Sequence, residues 1–235
     1  MTADPANGAT PLVAAAPSGL PAAARPRGLL DAVTTISGRL VSLRPVSRED
    51  YPTLFKWRSS FESVHWLNFR RRIGPFEEFV REIEGLLPQC ILLLVRRAKT
   101  GDAIGYALGY NINQWDGSMG MTMYLEERFQ RRGYGGEALL LWADFLFKAF
   151  PLRRLTAEIY EFAAPTLALA QAMGAEQVGF MPEHFWHEDR HWGVHFMMLT
   201  REAWAARRRD FTGVLDLQMR FDTVEPVVQA NGGRP

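Results

Sequence analysis

The chain has 235 residues, 47% of them hydrophobic and 12% aromatic, which is material for one packed domain with extensions. Its 27 basic and 26 acidic residues leave a net charge of +1, which excludes a global nucleic-acid-binding charge. The single cysteine, Cys90, excludes an internal disulfide framework and a cysteine-based zinc cluster. No apolar run approaches the roughly 18 residues of a membrane span. Lys56, Lys99 and Lys148 are the only lysines among the 27 basic residues, and this arginine bias suggests a GC-rich bacterial genome. The expectation is a cytoplasmic protein without nucleic-acid or membrane partners.

Residues 1–37 hold ten alanines and five prolines but only four charges, and no apolar period lasts. They read as a flexible Ala/Pro-rich leader without the basic start of a secretory signal. Periodicity sets in at Gly38. Leu40–Pro45 alternates as a strand, and Ser47-Arg48-Glu49-Asp50 caps a helix through about Trp57. A second helix is predicted from about Pro75 to Leu87, where Phe76, Phe79, Val80 and Ile83 recur at helical spacing. Cys90–Val95, Ala103–Tyr110 and Ser118–Glu126 read as a meander of three strands, turning at Lys99–Asp102 and Asp116-Gly117. A long helix follows over about Gly135–Phe150, then a strand at Arg154–Tyr160 and a helix at Pro165–Met173 closed by Gly174. Glu176–Met181 and Val194–Thr200 are the last strands, and residues 205–235 read as a tail. The order β-α-α-β-β-β-α-β-α-β-β predicts an α/β domain over 38–204.

The informative stretch is Glu126-Glu127-Arg128-Phe129-Gln130-Arg131-Arg132-Gly133-Tyr134-Gly135-Gly136-Glu137. A strand runs into a glycine-rich turn that opens a helix. Glycines allow close approach of a ligand, and the unpaired amides of the helix start, with its dipole, favour a pyrophosphate. Arg128, Arg131 and Arg132 add positive charge. The spacing is neither that of a Walker loop nor that of a dinucleotide-binding turn.

Gln130-Arg131-Arg132-Gly133-Tyr134-Gly135 resembles the Gln/Arg-x-x-Gly-x-Gly/Ala motif of the GNAT superfamily of acyl-CoA-dependent N-acyltransferases. Gly136-Glu137-Ala138-Leu139, the opening Arg39–Pro45 and the closing Leu199–Trp204 are similar to the branch that acetylates N-termini of ribosomal proteins. The resemblance implies a three-layer αβα fold with a mixed, mainly antiparallel sheet splayed between its fourth and fifth strands. It implies acetyl-CoA, or another acyl-CoA, as cosubstrate, and a peptide or small-molecule amine as acceptor. The amine would attack the thioester directly in a ternary complex, through an oxyanion-bearing intermediate. Backbone amides from Gln130 to Gly135 would hold the pyrophosphate, with Gly136 a further cofactor contact, Met123 and Leu125 would pair with the pantetheine amides, and Thr166 would flank the arm. Ala163 and Ala170 depart from the pattern, standing where many members carry an Asn and a proton-donating Tyr.

The acid/base groups stay open among Glu126, Glu158, Tyr160 and the histidines, with Glu158, Tyr160 and His184 the leading candidates. His184, His187, His191 and His195 lie among Glu183, Phe185, Trp186, Glu188, Asp189 and Trp192. A metal site is one reading of that cluster; a hairpin or loop lining the acceptor site, with Trp186 and His187 as contacts, is preferred, and no metal is expected. His65-Trp66-Leu67-Asn68-Phe69, followed by three arginines, gives Trp66 and Phe69 as further acceptor contacts. Trp115, beside Asp116-Gly117, is a candidate rim aromatic. Two other readings remain: an acyltransferase of natural-product or amino-sugar biosynthesis, and a non-catalytic acyl-CoA-binding protein. A monomer or homodimer is expected.

Overall fold

Ile91-Leu92-Leu93-Leu94-Val95 is the innermost strand sequence of the molecule, and it packs on both sides. In the computed structural model, which describes residues 35–59, 74–187 and 189–215, Leu93 and Val95 face one core and Leu94 faces another. A run with no polar position suits a strand covered by helices on both faces. The sheet around it has eight strands: β1 (Ile36–Ser37), β2 (Val41–Pro45), β3 (Ile91–Arg97), β4 (Ala103–Asn113), β5 (Ser118–Leu125), β6 (Arg154–Tyr160), β7 (Glu176–His187) and β8 (Arg190–Thr200). Their order across the sheet is β1-β2-β3-β4-β5-β6-β8-β7, and every neighbouring pair is antiparallel except β5 with β6.

One face carries α1 (Tyr51–Ser59) and α2 (Phe76–Leu86), which bury Trp57, Phe79 and Ile83 against Leu94 and Tyr124. The other carries α3 (Tyr134–Ala149) and α4 (Ala164–Ala172). α3 is apolar nearly all round because it is covered on both sides: the sheet lies below, and above lie Trp204 and Leu215 of α5 (Arg201–Arg207) and α6 (Thr212–Leu215). Two polar fixtures hold this upper layer, one an ion-pair group and one an arginine on backbone carbonyls. Asp144 is buried on α3, accepts hydrogen bonds from Arg208 at 2.7 and 3.2 Å, and pairs with Lys148 at 2.8 Å. Burial alone pushes its carboxyl up, but those two cations outweigh it and hold the group below the usual carboxylate range. Arg201 donates to the carbonyls of Phe147, Phe150 and Leu152 at 2.6–2.7 Å, satisfying the C-terminal end of α3.

The three-layer fold and its mixed sheet match the expected architecture. The domain reaches beyond the expected boundaries at both ends, since Ile36, 1% exposed, starts the sheet and Leu215, 3% exposed, closes the core over α3. The extra strand β1 shifts the count by one, so the expected fourth and fifth strands are β5 and β6. The described histidine-rich residues lie on the paired strands β7 and β8. Residues 1–34 and 216–235, with Trp66, Phe69 and the arginines after them, lie outside the described residues.

Candidate active site

After β5 ends at Leu125, a short turn at Glu127–Phe129 carries the chain to Gln130, and α3 starts at Tyr134. Gly133, immediately before the helix, has φ 85°, a conformation in which glycine alone is at ease. Arg131 is held at φ 56°, which costs a residue with a Cβ about 1 kcal/mol; such strain persists where the surroundings demand it. The first bond of the helical ladder is donated by the Glu137 amide to the Gly133 carbonyl. The amides of Tyr134, Gly135 and Gly136 therefore precede the ladder and converge with the dipole on one point, an anion cradle.

A Cβ built on Gly135 meets nothing nearer than Leu125 at 3.6 Å and Met123 at 3.8 Å. The protein itself does not require glycine there, so the open space belongs to the cavity. Arg131 and Arg132 are exposed beside the turn. Arg128 is tied to Glu126 at 3.0 Å and lies over the Phe129 ring. Arg97, which sequence reasoning did not single out, lies about 6 Å from the rings of both Phe129 and Tyr134 and adds positive charge to the same corner.

β5 and β6 pair only at Ser118–Gly120 with Arg154–Thr156, whereas β4 follows β5 to Leu125. Beyond Gly120 the two strands part. The Glu126 amide donates to Ile104 on β4, so strand alternation turns the backbone polar groups of Met121, Met123 and Leu125 toward the gap. The Leu125 carbonyl is taken by the Gln130 side chain at 2.9 Å. Met123 presents an open edge, the kind of edge that an amide-bearing ligand extends like an added strand.

A cavity of about 720 Å³ fills this gap and crosses the sheet. On the α3/α4 side its wall includes Met123, Leu125, Gln130, Arg131, Gly133, Gly135, Gly136 and Thr166, so eight of the ten expected cofactor residues come together. Arg132 and Tyr134 flank the turn without lining the cavity, and Tyr134 packs edge-on against Phe129. On the α1/α2 side the wall includes Tyr124, Glu158 and Tyr160. Tyr110 belongs to this face as well. Its ring covers Gly120, where any Cβ would collide at 2.7 Å, and its phenol is pushed up to about 12, first by burial and then by Glu158 and Tyr160. Nothing in the sequence marked Tyr110; only the register opposite Gly120 reveals it.

The remaining candidates stand apart. His184 is exposed on β7, the edge strand that β8 separates from β6, and lies outside the cavity wall; the strand bulges there, between Met181 and Phe185, with Glu183 at φ 49°. Trp186 is 48% exposed and meets the His191 ring edge-on. His187 is half-buried against Phe162, at 4.8 Å between rings, and so backs a residue that does line the cavity. Phe162 also stacks on Tyr160 at 5.3 Å, which makes the end of the gap aromatic. Trp115 is fully exposed on the β4–β5 turn. Among the described residues no group of His, Cys, Asp and Glu could hold a metal ion, and no helix is long and apolar enough to cross a membrane.

Solved structures share this architecture. A spermidine N-acetyltransferase from Vibrio cholerae, in complex with CoA and spermine, superposes with a TM-score of 0.63 at 16% identity over 71% of this chain and 98% of that one. A GCN5-related N-acetyltransferase from Brucella melitensis gives 0.60 at 18% identity over 77% and 84%. A GNAT-family acetyltransferase from Bacillus anthracis gives 0.59 at 13% identity over 72% and 99%. Curated proteins yield no match. The family model for the acetyltransferase (GNAT) domain matches residues 40–176, a stretch that runs from β2 across the cradle and the gap to the start of β7, and the chain belongs to that family.

Proposed function

We propose that this protein transfers an acyl group from acyl-CoA to a primary amine, of a small molecule or a protein N-terminus, by direct attack. One observation carries the reading: a gap through the sheet has an anion cradle on one face and a carboxylate, Glu158, on the other. The residues present fit CoA. Helix-start amides and Arg131 suit its pyrophosphate, and the Met123 edge suits the amides of its arm. Bound there, acyl-CoA supplies an activated thioester carbonyl.

The chain's own groups then have separable tasks. The cradle and the β5 edge fix the thioester in the gap, which removes the entropy cost of bringing two reactants together. Glu158 attracts a cationic amine to the α1/α2 face. Once that amine has given one proton to solvent, its lone pair attacks the carbonyl. Glu158 takes the second proton, released from the nitrogen, as the N–C bond forms and the C–S bond breaks. Tyr160, on the same strand face, is assigned the proton that converts the leaving thiolate to a thiol. His184 is set aside because it lies outside the gap. Trp66, Phe69 and Trp186 stay as proposed contacts of the acceptor beyond the gap, with His187 supporting Phe162 from behind.

The test is a calorimetric titration with acetyl-CoA, with ATP as a control, on the native chain and on Gly135→Trp. The native protein is expected to bind acetyl-CoA at micromolar concentration and ATP far more weakly. Gly135→Trp, whose Cβ has room and whose indole blocks the cradle, is expected to lose at least a hundredfold in affinity while melting within a few degrees of the native chain. Unchanged binding by a folded Gly135→Trp contradicts the assignment of the cradle.

A further inference from the structure

The cavity takes the arm of CoA as well as the acyl group, and much of its wall is apolar. β6 and α4 face each other across it, and the wall residues of these elements and their flanks include four alanines, Ala157, Ala163, Ala170 and Ala175, beside Ile159, Phe162 and Leu169. At those four positions methyl groups stand where larger side chains would narrow the space. Ala170 and Met173 are 8% and 2% exposed yet still form cavity wall. The space also continues past the mouth of the gap: Leu155 and Leu199, at 1% and 5% exposed, line it, and Leu155 pairs with Met119, behind the last rung of the β5–β6 ladder at Gly120 and Thr156. No charged side chain belongs to this inner wall. An apolar extension walled by buried residues is a poor place for water and a good one for hydrocarbon.

We infer that the acyl group carried by this protein is longer than acetyl: a straight, medium-length chain of about four to eight carbons that lies between β6 and α4 against Ala157, Ala170 and Met173 and ends at Leu155 and Leu199. The inference rests on the CoA reading of the cradle and goes beyond it by naming the class of donor. Selectivity follows from burial. Each methylene removed from water adds about 0.8 kcal/mol, which is roughly fourfold in affinity, until the chain reaches the end wall.

The experiment is calorimetry of the native protein with CoA, acetyl-CoA, butyryl-CoA, hexanoyl-CoA and octanoyl-CoA, repeated on Ala170→Leu. Affinity is expected to rise at least tenfold from acetyl to hexanoyl, with a heat-capacity change that grows more negative along the series. In Ala170→Leu, whose added side chain fills the space between strand and helix, that rise is expected to flatten while CoA itself binds within threefold of the native value. CoA binding with no gain beyond acetyl overturns the inference and leaves the cradle standing. A gain that persists in folded Ala170→Leu also overturns it, because the chain then lies elsewhere. Loss of all binding, CoA included, overturns the cradle reading and this one with it. The native series decides the matter even where the variant does not fold.

Discussion

Glu158 and His184 illustrate how backbone geometry separates two side chains of similar chemical promise. An imidazole titrates near neutral pH and is the more obvious base from the sequence. The place of β7 at the sheet edge, with β8 between it and β6, however, leaves His184 outside the gap, whereas strand alternation places Thr156, Glu158 and Tyr160 on one face of β6, with Thr156 in register with Tyr110 across Gly120. Proton abstraction requires reach before it requires a favourable titration. Glu158→Gln is therefore expected to lower kcat about a hundredfold with the KM for acyl-CoA little changed, and His184→Ala to change kcat less than twofold. Steady-state kinetics with a saturating amine checks both; a larger loss in His184→Ala than in Glu158→Gln contradicts the assignment. The glycine-rich turn was legible residue by residue, because glycines before an apolar helix leave few alternatives. The acceptor face was not, because Tyr110 and Glu158 are 48 positions apart and only the strand register joins them.

At the scale of elements, α3 connects stability to the site. Its N-terminus forms the cradle and its C-terminus is held by Arg201, whose guanidinium covers three carbonyls and lies over the Phe147 ring at 5.3 Å. Near the N-terminal end, buried Glu137 accepts the amides of Leu40 and Val41 at 2.6 and 3.0 Å, fastening the helix to the start of β2. The helix is pinned at both ends, which keeps the cradle amides fixed before any ligand arrives. Arg201→Met is expected to cost about 2–3 kcal/mol, because the Phe147 and Phe150 carbonyls at the helix end and the Leu152 carbonyl just beyond it lose their donor in a partly buried place. Denaturant unfolding measures that loss, and acyl-CoA affinity of the folded fraction is expected to stay near the native value. The helices were readable from spacing and caps: Tyr134–Ala149 differs from expectation by one residue at each end. The long hairpin was less so. Bulges and aromatic residues interrupt the period-2 pattern of β7, and β8 continues through Trp192 and Gly193 to Arg190.

For the whole molecule, the functional feature is a defect in an otherwise continuous sheet. Seven pairings join eight strands, and six of them are antiparallel; the seventh, parallel pairing fails after three residues and leaves a gap through the middle layer. Two reactants can then meet from opposite faces, one guided by backbone amides and the other by a carboxylate. Composition and motif order made the fold class readable, but no local signal marks where β5 and β6 part, since each strand taken alone has an ordinary pattern. The most direct measurement is amide hydrogen exchange with and without acetyl-CoA. If the cradle and the open edge bind it, protection rises at Met121, Met123 and Leu125 and across Arg131–Gly136, with little change in β1 to β3. Protection confined to other segments, or none at saturating acetyl-CoA, contradicts the account.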